Sequence, residues 1–207
     1  MKRLFFLALF LSLIMLVITM LQRHINSLLA NAAAGDSTSQ SPSLLNKSLL
    51  KLPLVEPRIV VTKSKRRLTL YSDGKVVRVY PVGLGFNPKG DKVRQGDGCT
   101  PEGSFYVCVK NDRSAFYLSL GLSYPNKEHA ERGLRDHLIT RAEYDEIMSA
   151  LERRARPLWN TRLGGEIFIH GNGSQSDWTW GCVALDDENI KELFDAIPKG
   201  TPVLIEP

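Results

Sequence analysis

The alternation of apolar and polar residues between positions 58 and 109 is typical of β-strands. Ile59–Thr62 is β-branched throughout, and Arg67–Tyr71 alternates between polar and apolar side chains. The polar turn Ser72–Lys75 follows and the chain returns through Val76–Val82, which predicts a β-hairpin. A long loop is predicted for Gly83–Gly103, and further strands for Ser104–Val109, Phe116–Ser123, Glu166–His170 and Thr201–Ile205.

Two later segments change to a helical period. Between residues 125 and 157, Thr140 and Glu143 have the spacing of a capping box, which predicts the start of a helix. Near the C-terminus, Asp186 or Asp187 is suited to cap a helix over Glu188–Ala196. The pattern therefore predicts a mainly β domain with an inserted helical segment and one helix near its end.

The N-terminus has the pattern of an export segment. Lys2 and Arg3 precede an uncharged, apolar run, Leu4–Leu21, which is close to the length of about 20 residues that a helix needs to span a bilayer. The positive residues predict that this end stays in the cytoplasm and that the remainder is exported to the periplasm. A retained inner-membrane anchor and a signal peptide cleaved near Ala30–Ala34 are both compatible with the sequence. The predicted organisation is a signal anchor or signal peptide over 1–22, a linker over 23–57 and one domain over 58–207.

Composition narrows the classes of partner. The 207 residues include 27 Lys and Arg against 22 Asp and Glu, a net charge of +5. Part of that excess lies in the export segment, and no Lys/Arg run is interleaved with aromatic residues, so nucleic-acid binding is not expected. The histidines and cysteines do not have the spacing of metal ligands, and we expect neither a metal nor another cofactor.

The three cysteines constrain the redox chemistry. In an oxidising compartment an odd number leaves at least one thiol unpaired. Cys99 and Cys108 are able to pair with each other and to leave Cys182 free, but spacing alone does not decide this.

A histidine and a cysteine stand out because each has a glycine beside it. His170 ends an apolar run and precedes Gly171, whereas Cys182 follows Gly181. A thiol is a nucleophile as its thiolate, and a neutral imidazole nearby is able to take its proton. The polar residues Asn172–Asp177 favour a loop that brings the two together. A buried cysteine and a hydrogen-bonded structural histidine are the ordinary alternatives for each residue alone.

The order of these motifs resembles the L,D-transpeptidase catalytic domain family, also called the YkuD family, over about Arg58–Pro207. The family signature is His-Gly, a loop, and then Ser/Thr-x-Gly-Cys. The resemblance implies a β-sandwich or barrel-like domain that acts on the peptide stems of peptidoglycan in the cell envelope. The matching segments are Tyr80–Gly85, Gly96–Gly103, Ile169-His170-Gly171 and Thr179-Trp180-Gly181-Cys182.

The resemblance also implies roles for individual residues. Cys182 is expected to attack the bond after meso-diaminopimelate, releasing D-alanine and forming a thioester, with His170 as general base. The backbone N–H groups of Gly181 and Cys182 are candidates for an oxyanion hole, and Thr179 either holds the turn or orients the imidazole. The residues expected to contact substrate are Gly171, Asn172, Trp178 and Trp180.

Two further groups of residues are candidates for substrate selection. The inserted segment Tyr124–Trp159 precedes the catalytic strand, and we expect it to form a cap over the cleft that governs which acceptor enters. The second group is four arginines, Arg113, Arg132, Arg135 and Arg141. Arginine is able to bind a substrate carboxylate bidentately, although for each of the four an ordinary solvated side chain is the alternative.

The chain departs from the common family pattern around the cysteine. The loop after His170 is short, Trp180 stands where histidine is usual, and Val183–Leu185 replaces a segment with Arg or Asn. A short-loop branch, which includes members that cut crosslinks, is the better match. Transfer to an amine, hydrolysis by an L,D-carboxypeptidase or endopeptidase, and exchange with a wall-linked protein all remain open, as does a non-catalytic wall-binding module. A papain-like peptidase is disfavoured because its cysteine precedes its histidine.

Overall fold

The computed structural model describes residues 49–207, which lie in one compact unit. The predicted segment over 1–22 and most of the predicted linker lie outside the described residues. Between residues 49 and 207, no helix has the length and apolar character needed to cross a membrane.

Eight strands form one curled sheet, a half-barrel, in agreement with the predicted mainly β fold. The strands are β1 (Arg58–Thr62), β2 (Arg67–Ser72), β3 (Lys75–Pro81), β4 (Gly103–Ser114), β5 (Tyr117–Leu122), β6 (Phe168–His170), β7 (Val183–Ala184) and β8 (Pro202–Glu206). Their order across the sheet is β3-β2-β1-β8-β4-β5-β6-β7. Strand β4 pairs with β8 near its start and with β5 further along, so it joins the two halves of the sheet.

The predicted hairpin is confirmed as β2 and β3, which pair antiparallel from Arg67 opposite Pro81 to Ser72 opposite Lys75. Its turn is Asp73-Gly74, and both residues have positive φ angles, 51° and 71°. That conformation matches the right-handed twist of a two-residue hairpin and explains the Asp-Gly sequence.

Between residues 49 and 207 three α-helices accompany the sheet: α1 (Lys127–Arg135), α2 (Arg141–Glu152) and α3 (Asp187–Ala196). The capping box of α2 is confirmed, since Thr140 and Glu143 exchange side-chain and backbone hydrogen bonds. Helix α1 was not predicted; it begins where Asn126 Oδ1 accepts a hydrogen bond from the His129 N–H at 3.0 Å.

The described part of the chain has two apolar cores. The larger one is built from strand residues of the sheet and includes the apolar face of α3. The smaller one lies between the inserted helices and is built on Ala130, Ile139, Ile147 and Leu163. Gly133 allows this contact, because a Cβ atom there would lie 2.8 Å from Leu163 Cδ2. The inserted segment is therefore packed around a core of its own.

A buried ionic network attaches α3 to the sheet. The Arg78 guanidinium, only 3% exposed, donates to the Glu192 carboxylate at 2.8 Å, and the Tyr80 hydroxyl donates to the same carboxylate. Burial pushes the pKa of Glu192 upwards, but the hydrogen bonds from Arg78 and Tyr80 outweigh it and leave that pKa lowered. Because folding lowers this pKa, the network stabilises the fold above the ordinary glutamate pKa and loses that contribution as the pH falls through the folded value.

We therefore expect Glu192→Gln to lower the free energy of unfolding by about 1–3 kcal/mol at pH 7, because the bonds to a charged acceptor are weakened. The difference between variant and wild type should narrow as the pH falls below the ordinary glutamate pKa of about 4.3 and should vanish once Glu192 is protonated in the folded state as well. Denaturant unfolding at several pH values measures this, with Glu188→Gln on the exposed face of α3 as the control. A difference that stays constant with pH would contradict the assigned network.

Candidate active site

The pairing of two short strands brings the candidate nucleophile and base together. Strands β6 and β7 run parallel, with Ile169 opposite Val183 and His170 opposite Ala184. Cys182 immediately precedes β7 and lies beside the start of β6, where the Phe168 N–H points at its Sγ at 3.4 Å. Cys182 and His170 line the same cavity, so two residues twelve positions apart in the sequence share one site.

His170 is buried, only 2% exposed, and is fixed by three groups. Its Nδ1 lies 2.7 Å from the carbonyl oxygen of Gly171, which only accepts hydrogen bonds, so Nδ1 carries the proton. Phe116 stacks on the ring with the centroids 4.6 Å apart, and Trp178 meets it edge-on at 5.5 Å. The remaining nitrogen, Nε2, is thereby left as a proton acceptor in the neutral ring.

The thiol and the imidazole are both neutral at rest. Burial raises the pKa of Cys182 to about 11, an effect only partly opposed by the Phe168 N–H. Burial also lowers the pKa of His170, against the hydrogen bond to Gly171. The site therefore holds a neutral thiol and a neutral base that line one cavity, and a proton has to move when the thiol attacks.

The turn that presents Cys182 is held by the Thr179 hydroxyl. Thr179 Oγ1 donates to the Cys182 carbonyl at 2.8 Å and accepts from the Gly181 N–H at 3.1 Å. Of the two roles open to Thr179, the contacts are those of a residue that holds the turn, and the imidazole is oriented by the Gly171 carbonyl instead. Gly181 has a φ of 126°, and a Cβ atom there would lie 2.7 Å from the Cys99 carbonyl oxygen, so only glycine fits.

This turn changes the expected oxyanion hole. The Gly181 N–H was one of two candidate donors, but it is already engaged by Thr179 Oγ1. Among residues 49–207, no group accepts a hydrogen bond from the Cys182 N–H. The Cys182 N–H is therefore the backbone donor still available to a developing oxyanion.

Two aspartates expected to cap the last helix hold the catalytic loop instead. Asp186 is the N-cap residue of α3 by position, but its side chain makes no capping hydrogen bond. Its carboxylate accepts from the Ser174 N–H at 3.0 Å and from Gln175 Nε2 at 2.9 Å. Asp187 accepts from the Asn172 N–H at 2.8 Å. An aspartate that caps a helix and one that binds the preceding loop look the same in the sequence, and only the fold distinguishes the two roles.

The residues expected to contact substrate separate into different environments. Trp180 is 68% exposed, and its ring meets that of Phe86 edge-on at 4.5 Å. Trp178 packs on His170 and donates from Nε1 to the Gly173 carbonyl. Gly171 is tightly packed, since a Cβ atom there would lie 2.5 Å from Asp187 Oδ1. Asn172 is exposed in a left-handed conformation, with a φ of 80°.

Two cavities meet at Cys182. The His170 cavity has a volume of about 320 Å³, and its walls include Arg113, Phe116, Glu166, His170 and Cys182. The Trp180 cavity has a volume of about 370 Å³, and its walls include Lys92, Trp159, Glu166, Trp180 and Cys182. Cys182 and Glu166 belong to both, so the thiol lies where two binding spaces join.

The inserted segment reaches the site through one residue of its C-terminal end. Trp159 lines the Trp180 cavity and packs edge-on against Phe168 at 5.4 Å. This contact is compatible with the expected cap, whose effect on acceptor choice stays a prediction.

The structure also shows the state of the three cysteines and whether side chains are grouped as metal ligands. Cys99, Cys108 and Cys182 are all free thiols, so the pairing of Cys99 with Cys108 left open by the sequence is not formed. Within the part of the chain that the structure describes, no three His, Cys, Asp or Glu side chains are grouped as a metal site requires.

Comparison with known proteins identifies the family of this chain. The family model described as the L,D-transpeptidase catalytic domain, YkuD, matches residues 56–205. The chain belongs to the L,D-transpeptidase catalytic domain family. A curated relative, the "Putative L,D-transpeptidase YqjB" of Bacillus subtilis strain 168, is 28% identical over 157 residues, covering 72% of this chain and 71% of that protein.

Solved structures similar to this chain were also found. A mutant of the helical cell shape determining protein Pgp2 from Campylobacter jejuni has a TM-score of 0.50 and 24% identity, covering 80% of this chain and 52% of that one. Bd1075 of Bdellovibrio bacteriovorus has a TM-score of 0.49 and 22% identity, covering 73% and 48%. The chain thus spans about half the length of these two proteins, and at such identities the likeness concerns the fold alone.

The raised pKa of this L,D-transpeptidase thiol leads to a prediction. The rate of Cys182 alkylation by iodoacetamide should rise steadily from pH 7 towards pH 11, because only the thiolate reacts. Peptide mass spectrometry follows the modification at Cys182, with a small free thiol, whose pKa is about 8.5, as the reference. A plateau below pH 8 would show a thiolate at rest and contradict the neutral pair.

The turn leads to a second prediction. Thr179→Val removes both hydrogen bonds of the hydroxyl and should slow acylation of Cys182 about 10- to 100-fold, because small displacements of a nucleophile are costly. Thr179→Ser keeps the hydroxyl and should retain most of the rate. The rate of appearance of acylated protein measures both variants, and equal rates for valine and wild type would exclude the assigned role.

Proposed function

We propose that this protein is a peptidoglycan L,D-transpeptidase that works through a Cys182 thioester with His170 as general base. The observation that carries the proposal is the cavity shared by Cys182 and a neutral His170 whose Nδ1 is bound to the Gly171 carbonyl. Family membership supports a peptidoglycan-modifying enzyme, and the site supplies the chemistry of acyl transfer.

The first half of the reaction forms the thioester. As Sγ of Cys182 attacks the carbonyl carbon between meso-diaminopimelate and D-alanine, Nε2 of His170 takes the thiol proton. The carbonyl oxygen becomes an oxyanion, which the Cys182 N–H is placed to receive. The C–N bond then breaks, the imidazolium gives its proton to the departing nitrogen, and D-alanine leaves.

The second half returns the enzyme to its starting state. An amine attacks the thioester, His170 removes a proton from that amine, and the new amide forms as the C–S bond breaks. The proton held on His170 returns to Sγ. The lowered pKa of His170 suits this exchange, since the ring is neutral near pH 7 and is charged only while the proton is in transit.

Hydrolysis of the same thioester is the alternative with structural support. Trp180 lines one cavity and is largely exposed, and Cys182 itself is only partly buried, so water has a route to the acyl group. A carboxypeptidase, an endopeptidase or an enzyme that releases a wall-linked protein would use this route. The class of product, amide or free acid, separates these activities from transfer.

The proposed site of action is the cell envelope, because peptidoglycan is the substrate of the family. Anchoring in the inner membrane would depend on residues 1–22, which the structure does not describe. That part of the assignment rests on the sequence pattern alone.

The test of this proposal is acylation by a natural donor. Full-length protein incubated with tetrapeptide muropeptides should gain the mass of the donor minus D-alanine, and Cys182→Ala should gain nothing. Cys108→Ala, a control thiol outside both cavities, should acylate like wild type. His170→Ala should acylate about 10²- to 10⁴-fold more slowly, the usual contribution of a general base.

Intact-mass spectrometry reads the adduct, and chromatography of the released muropeptides, with and without an acceptor amine, sorts transfer from hydrolysis. An equal adduct on Cys182→Ala would move the nucleophile elsewhere. Absence of any adduct or turnover with wild type would favour the non-catalytic alternative.

A further inference from the structure

The direction of proton transfer decides which cavity holds which part of the substrate. His170 gives its proton to the nitrogen that leaves and takes one from the nitrogen that enters, so both nitrogens must occupy the space beside the imidazole. That space is the His170 cavity. The acyl part of the donor then extends into the Trp180 cavity, which Cys182 also lines.

The leaving group has a charge that its site must accommodate. D-alanine released from a stem peptide carries a carboxylate on the carbon next to its nitrogen. An acceptor that attacks through the amine of an α-amino acid centre carries the same carboxylate at the same distance. One cationic side chain in the His170 cavity would therefore serve both halves of the reaction.

Only one of the four arginines considered from the sequence is available for this task. Arg132 is bound to Asp91 at 2.8 Å, Arg135 to Asp136 at 3.1 Å, and Arg141 faces Asp145 at 3.7 Å. Arg113 lines the His170 cavity, and among residues 49–207 its guanidinium has no hydrogen-bond or ion-pair partner.

The backbone around Arg113 is irregular in a way that directs the side chain. The pairing of β4 with β5 shifts register between Asn111 and Ser114, and such irregularities re-aim side chains next to active sites. Asn111 Oδ1 accepts from the Arg113 N–H at 2.9 Å and holds this local shape. The hairpin tip is also tied to the catalytic strand, since the Gly171 N–H donates to the Phe116 carbonyl at 3.1 Å.

The charges along the cavity give a bound amino acid one orientation. Glu166 lies at the Cys182 end, where the Glu166 carbonyl is 3.5 Å from Sγ, and its carboxylate disfavours a second anion there. Arg113 provides the positive charge on the same cavity wall, and the two side chains do not form an ion pair with each other. A carboxylate is thus directed to Arg113 and the reacting nitrogen to the thiol.

We propose that Arg113 is a specificity-determining residue that binds the α-carboxylate of the D-alanine leaving group and of an amino-acid acceptor. This assignment rests on the proposed transpeptidase function.

The test compares two donors that differ only at the leaving group, a tetrapeptide ending in D-alanine and the same peptide ending in D-alaninamide. For full-length wild type, kcat/KM of acylation should be about 10- to 100-fold lower with the amide, which loses a charge-assisted pair. Arg113→Gln should lower kcat/KM for the acid by that factor and leave the amide unchanged, so the preference disappears. Arg113→Lys should keep an intermediate preference, since it retains the charge without the bidentate geometry.

Arg153→Gln is the matched control, because Arg153 borders a neighbouring cavity beyond Glu166 and not the His170 cavity. It should keep the wild-type preference. An unchanged rate of Arg113→Gln on the amide shows that the variant is folded, so its loss on the acid reports recognition.

Two outcomes would overturn the assignment while the proposed function stands. Wild type that acylates with both donors equally has no carboxylate site, and Arg113→Gln that keeps the full preference places the site elsewhere. Wild type that acylates with neither donor overturns the proposed function itself, and this assignment with it.

Discussion

The parallel contact between β6 and β7 is the interaction on which the candidate site depends. It involves only two residue pairs, yet it places Cys182 beside the strand that ends in His170. The contact is reinforced from both sides, because the Leu185 N–H donates to the His170 carbonyl and the Gly173 N–H donates to the Leu185 carbonyl. The carboxylates of Asp186 and Asp187 then fix the intervening loop. A short pair of strands is thus made rigid by the segment that follows the nucleophile.

Burial has opposite effects on the two reacting groups, and together they define the resting state. A low-dielectric surrounding disfavours both the thiolate and the imidazolium, which raises the pKa of Cys182 and lowers that of His170. In the proposed mechanism the charged states occur only during the reaction, when the substrate carbonyl and the Cys182 N–H share the charge. The two cavities that Cys182 lines would then hold the acyl part of the substrate and the exchanging amine separately.

Much of the fold could be predicted because the relevant signals are local. The Asp73-Gly74 hairpin and the Thr140 capping box depend on neighbours in the sequence, and both are present as expected. Helix α1 was missed because its sequence is rich in charged residues and contains a glycine, Gly133. The reason for that glycine, its close contact with Leu163, is visible only in the fold. The motif around Cys182 indicated a cysteine site, but the engagement of the Gly181 N–H and the availability of Arg113 depend on partners distant in sequence. Such non-local contacts cannot be read from spacing.

The protonated state of Cys182 has a consequence beyond the reaction itself. Oxidants attack thiolates, and because burial raises the pKa of Cys182 to about 11, the protonated thiol predominates at pH 7. An exposed cysteine with an ordinary pKa would present a far larger fraction of thiolate to peroxides or disulfides. If the protein acts in the cell envelope, as proposed, the raised pKa that keeps the nucleophile protonated between substrates also limits oxidation of its sulfur outside the reducing cytoplasm.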